Sequence, residues 1–157
     1  MNIDFLRNVS LFKGLNEEGL EALAELCFTR EFAKDGVIIL AEEEGDALFM
    51  IEKGQVKVCN SSEEGREVIL SLLGPGAVFG ELALLDGKPR SANVIATDDT
   101  SLVMLRRSDF KQLIYKTPQI AMALLADLAG RLRRTDRQIE GLALLDVTSR
   151  ISETLLQ

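Results

Sequence analysis

Ala47-Leu48-Phe49-Met50-Ile51-Glu52-Lys53-Gly54-Gln55-Val56-Lys57-Val58-Cys59 is the stretch that decides the fold class. Two β-rich runs, Ala47–Ile51 and Gln55–Cys59, flank a Lys53-Gly54 turn signal. Outward from it the same pattern recurs from about Thr29 to Leu105, with β-rich runs at Val37–Leu40, Glu67–Leu73, Ala92–Ala96 and Leu102–Leu105. Asp35-Gly36, Gly45-Asp46, Glu64-Gly65 and Gly74-Pro75-Gly76 punctuate them. Many short strands with tight turns predict a mainly β domain, a small barrel or roll. A β-helix solenoid would need a fixed repeat period, and none is visible.

Helices flank this region. Residues 2–28 read as helical, with Asn16 capping a helix that opens on Glu17 and Glu18. Ser108 is expected to cap a short helix, Asp109–Tyr115. Thr117-Pro118 then supplies a cap and a first-position proline for a helix running from Pro118 to about Leu145. Its apolar seam is Ala121, Leu125, Leu128, Leu132, Thr135, Ile139 and Leu142, spaced 4-3-4-3-4-3, an a/d heptad pattern. Such a seam needs a partner. A parallel homodimeric coiled coil is the natural reading; the alternative is a helix docked on its own roll. Thr135 puts a hydroxyl in the seam, which calls for either a helix carbonyl one turn back or a bound ligand. Asp146 caps a last helix, Val147–Leu156, whose stripe of Ile151, Leu155 and Leu156 predicts further chain to pack upon it.

Composition removes whole classes of function. The chain has 157 residues, 46% hydrophobic and 27% charged, so a real core is affordable and wholesale disorder is not expected. It contains no histidine, which excludes His-ligated zinc or haem, a cupin-type metal site and any Ser-His or Cys-His nucleophile pair. Two cysteines, Cys27 and Cys59, cannot build a zinc or iron–sulfur cradle and read as reduced thiols of a cytoplasmic protein. No metal, cofactor or enzymatic activity is expected: Glu42-Glu43-Glu44 and Asp98-Asp99 read as solvated turns. Net charge is −7, which gives this chain no electrostatic footprint for DNA. Arg131, Arg133, Arg134 and Arg137 are interleaved with acids and read as a solvated helix face. There is no membrane-spanning apolar run and no signal-peptide pattern at the start.

The chemistry concentrates in Phe79-Gly80-Glu81-Leu82-Ala83-Leu84-Leu85-Asp86-Gly87-Lys88-Pro89-Arg90-Ser91-Ala92. Gly80 lets backbone approach a ligand closely and opens a helical turn with free N–H groups. Arg90 is a fixed-charge fork suited to phosphate oxygens, and Ser91 and Ala92 can close the cradle with their N–H groups. Glu81 only accepts hydrogen bonds, which suits a sugar hydroxyl and not a phosphate. The two charges thus address opposite ends of one small ligand; a structural Glu81–Arg90 salt bridge is the competing reading.

These residues carry a resemblance. The run from Phe79 to Ala92 resembles the phosphate-binding cassette of cyclic-nucleotide-binding domains. Leu11-Phe12-Lys13-Gly14-Leu15 is similar to the N-terminal entry of the bacterial branch. Residues 142–151 resemble the hinge of the cyclic-AMP receptor protein and fumarate-nitrate regulator family of transcription factors. The likeness implies a double-stranded, jelly-roll-like β-roll with flanking helices over residues 1–116, a long C-terminal dimerisation helix over 117–145, and a hinge over 146–157. The hinge would lead to a DNA-binding domain lying outside the chain, which alone would contact DNA. It further implies that Glu81 and the backbone of Gly80 and Leu82 hold the ribose, and that Arg90, Ser91 and Ala92 hold the cyclic phosphate. By the same likeness Val58, Leu70 and Leu73 form an apolar wall, Arg131 reaches toward Glu81, and Thr135 bonds the purine. Asp136 departs from the serine of the cyclic-AMP receptor protein at this position; an acceptor there suits the adenine amino group or the guanine N1–H and amino group. Cyclic AMP is the preferred ligand, with cyclic GMP second. The alternative is the same fold sensing another molecule or none.

Overall fold

A computed structural model of the chain describes residues 3–43, 45–81, 87 and 92–134. The chain divides between Ile120 and Ala121 into two compact units. The first is the β domain.

Eight strands are described: β1 (Phe28–Phe32), β2 (Val37–Ile39), β3 (Ala47–Lys53), β4 (Val56–Ser61), β5 (Glu67–Leu73), β6 (Val78–Phe79), β7 (Asn93–Ala96) and β8 (Thr100–Arg106). They form two four-stranded sheets, ordered β1-β8-β3-β6 and β2-β7-β4-β5, and their pairings are antiparallel. This is the β-roll expected from the run-and-turn pattern. Most turns fall where the punctuation put them; between β2 and β3 the turn is at Ala41-Glu42, with Glu42 at φ 71°, and not at Gly45-Asp46. Gly54 takes φ +96°, and a Cβ there would sit 2.5 Å from the Asp99 carbonyl oxygen, so only glycine serves at this tip. At Asp35-Gly36 it is Asp35 that adopts the left-handed conformation, with φ 70°.

Strand alternation explains the layers. Ala47, Phe49 and Ile51 of β3 point between the sheets and pack with Ile39, Val56, Phe79, Val94, Leu102 and Met104. Phe49 and Phe79 stack with ring centroids 5.0 Å apart, which anchors the two-residue strand β6 to β3. Leu48 and Met50 of β3 and Val103 and Leu105 of β8 project to the opposite face and are buried as well. The central strands of this sheet are therefore covered on both sides.

The helices of this unit are shorter than one run over residues 2–28. Helix α1 (Ile3–Asn8), a 3-10 turn at Ser10–Phe12 and helix α2 (Glu17–Leu26) replace it, and Phe28 already begins β1. Asn16 caps α2 as expected: its Oδ1 accepts the Gly19 N–H at 2.8 Å. Helix α3 (Arg107–Lys116) packs on β8 and β3. It starts directly from the end of β8, so Arg106 and not Ser108 is its N-cap, without a side-chain cap bond. Helical backbone resumes at Pro118 and is described as α4 over residues 118–134. On the second unit, Met122, Leu125 and Leu132 are exposed. The rest of the expected seam, Thr135, Ile139 and Leu142, lies outside the described residues, as does the expected last helix over 147–156.

Candidate functional site

The roll's own strands position the cassette. Strand β6 belongs to one sheet and β7 to the other, so the segment 80–92 connects the two sheets. Its entry is fixed by the pairing of Phe79 with Phe49, and its exit by the pairing of Val94 with Val58 and Asn93 with Cys59. Gly80 takes φ +87°, a conformation that side chains resist, and Glu81 directly after it is helical. The start of the turn that the sequence predicts at Gly80 is therefore present, and its continuation over residues 82–86 lies outside the described residues. Glu81 is 3% exposed, the only charged residue among the buried ones described. A carboxyl group buried at the head of a loop is tolerated only with hydrogen-bonding or charged partners around it.

Of the expected apolar wall, Val58 and Leu73 both pack against the inter-sheet core. Leu70 does not join them. It has no partner in the β4–β5 register, where Val58 faces Ser71 and Cys59 faces Ile69, and it is 57% exposed. It is the extra residue of a β-bulge. Ala92 is half-buried immediately before β7. Arg131 lies on α4 in the second unit, where its guanidinium is 3.0 Å from the Asp127 carboxylate one turn earlier. Leu82, Arg90, Ser91, Thr135 and Asp136 lie outside the described residues.

Two supporting residues escaped the sequence reading. Asn93 accepts the Ala41 N–H through Oδ1 at 2.7 Å, which ties the cassette exit to the end of β2. Its signal was faint: an amide at the first position of an apolar run. Gly87 has φ +70°, and a Cβ there would meet Nη2 of Arg107 at 3.3 Å. The Asp86-Gly87 pair is a turn signal of the same kind as the others. Along the β4–β5 hairpin, Lys57 and Glu67 form an ion pair of 2.6 Å. That bond holds the Glu67 carboxyl below its usual range, with the Cys59 thiol adding to it.

The comparisons with known proteins agree with this geometry. The profile of a family described as the cyclic nucleotide-binding domain matches residues 29–117, more than half of the chain. The chain belongs to that family. Among its relatives, the cyclic AMP receptor protein of Thermus thermophilus is 37% identical over 153 residues, covering 97% of this chain and 70% of that protein. A CRP-like cAMP-activated global transcriptional regulator of Mycobacterium tuberculosis is 31% identical over 154 residues, covering 98% of this chain and 69% of that protein. The crystal structure of the Thermus thermophilus catabolite activator protein superposes with a TM-score of 0.77 at 36% identity, over 85% of this chain and 63% of that one. This cyclic nucleotide-binding domain is thus of the kind found in bacterial transcription regulators, and it spans about two thirds of their length.

Proposed function

We propose that this domain binds a cyclic nucleotide, cyclic AMP by preference, and is the effector-sensing part of a transcription regulator. The single observation that carries the reading is the junction at Gly80-Glu81: a left-handed glycine followed by a carboxylate buried where the chain crosses between sheets. In this reading Glu81 and the backbone of Gly80 and Leu82 take the ribose hydroxyl, while Arg90, Ser91 and Ala92 take the cyclic phosphate. Val58 and Leu73, with Leu70 of the bulge, form the apolar side, and Thr135 and Asp136 address the base. Arg131 exchanges its Asp127 partner for, or shares it with, the Glu81 side of the ligand. The names of the relatives, which are cAMP-activated regulators or receptors, support cyclic AMP over cyclic GMP.

The signal passes through a homodimer built on residues 118–145, and from there through residues 146–157 to a DNA-binding domain outside this chain. Ligand shifts the pair of helices only if it binds one of their arrangements more tightly than the other. Catalysis has no place in this scheme. The protein acts in the cytoplasm, in keeping with Cys27 and Cys59 both being free thiols. Among the described residues no helix is long and apolar enough to cross a membrane.

Replacing Arg90 by alanine tests the phosphate role. Loss of one charge-assisted fork is expected to weaken cyclic AMP binding by about a hundredfold or more, with the thermal unfolding midpoint little changed. Affinity retained in Arg90→Ala would refute the assignment.

A further inference from the structure

The end of the roll where β1 and β3 begin and β8 runs out opens into a cleft of about 580 Å³. Four cationic side chains line it, Arg30, Arg106, Arg107 and Lys111, against one carboxylate, Asp46. This is a local excess of positive charge on a chain whose net charge is −7. Among the described residues none of the four cations forms an ion pair. Two are held in place by aromatic rings instead: the Arg106 guanidinium lies 5.4 Å from the Phe28 ring centroid, and that of Arg30 5.5 Å from the Phe32 centroid.

One further observation points to an occupant. Helix α3 also begins here, without a side-chain cap, and its positive end, partly offset by Asp109 in the first turn, adds to the field of the four cations. Planar guanidinium forks and a helix N-terminus share one preferred partner, the tetrahedral oxyanion. The cleft falls within the roughly 300–1,000 Å³ of small-molecule sites, which is more room than a single phosphate fills.

We propose that this cleft, which meets the cassette of residues 80–92 at Gly87, binds a polyanion of the phosphate type, carrying two or more negative charges, in addition to the nucleotide assigned to the cassette. Arg107 is the central contact, Arg30, Arg106 and Lys111 surround it, and Asp46 sets a limit on how far a third anionic group can extend. The occupant is either an inorganic polyphosphate or a phosphorylated metabolite, since both present the same oxyanions.

The test is calorimetric titration of the full chain carrying Arg90→Ala, which removes the proposed cyclic-phosphate contact and so separates this site from the other. Inorganic pyrophosphate and a sugar bisphosphate are the probes, and the tighter of the two shows which source the cleft favours. The expected result is saturable binding of at least one probe, weakened by added salt, with amide shifts at Arg106–Asp109 in heteronuclear NMR. Arg107→Lys keeps the charge but loses the fork, and should weaken binding about tenfold or more. The double change Arg30→Ser with Lys111→Ser, on exposed positions that folding tolerates, should weaken it by a similar factor. Non-saturable binding of both probes, shifts confined to residues outside the cleft, or equal affinity in both variants would overturn the proposal.

Discussion

The half-buried Cys27 shows how one side chain registers its surroundings. Burial, with the Asp109 carboxylate adding a smaller effect, pushes its thiol up to about 12. The folded protein therefore keeps a proton that the unfolded chain releases near pH 9. Stability from this source is complete below that pH and falls as pH rises toward 12. The loss of denaturation midpoint between pH 8 and pH 10.5 should accordingly shrink in Cys27→Ala, and a fluorescence-monitored urea titration at the two pH values checks it. An unchanged slope would mean that the thiol is solvated. At this scale the candidate site was legible in part. Gly80 and Glu81 stood out through their order with Arg90, Ser91 and Ala92 in one run that resembles a phosphate-binding cassette, since spacing alone fits a structural salt bridge equally well. The burial of Glu81 was not legible, because it depends on strands far away in sequence. The Leu70 bulge was equally hidden, since periodicity assumes an unbroken register.

At the level of elements, six strands showed in the sequence and two did not. Strand β1, Phe28-Thr29-Arg30-Glu31-Phe32, is a sheet-edge strand paired with β8, and its three central residues are exposed. With three polar residues in a row it carries no alternating apolar signal. Strand β6 is two residues long, too short for any period, and is held by the Phe49–Phe79 stack. The N-terminal helices were overextended because the Ser10–Phe12 turn keeps apolar residues at near-helical spacing. Strand β8 is the element on which the rest depends: it pairs with both β1 and β3, and its Leu102 side chain is wholly buried in the inter-sheet core. Leu102→Ala should cost about 2–5 kcal/mol in urea unfolding. A cost below about 1 kcal/mol would show that the core at this point is loosely filled.

On the scale of the whole molecule, the two units carry different parts of the proposed function. The β domain holds Gly80 and Glu81, while α4 exposes Leu125 and Leu132 seven residues apart, on a seam that a second copy would cover. Leu125→Glu combined with Leu132→Glu should convert a dimer into a monomer in sedimentation equilibrium while leaving the β domain folded by circular dichroism. An unmodified chain that sediments as a monomer at tens of micromolar would remove the dimer from the scheme. The central claim is that a carboxylate and a guanidinium of one short loop grip a cyclised nucleotide from two sides. Isothermal calorimetry of the full chain with cyclic AMP, and with cyclic GMP for comparison, tests it most directly. The account predicts saturable binding of cyclic AMP at micromolar concentration and weaker binding of cyclic GMP; no heat from either nucleotide at high micromolar concentration would contradict it.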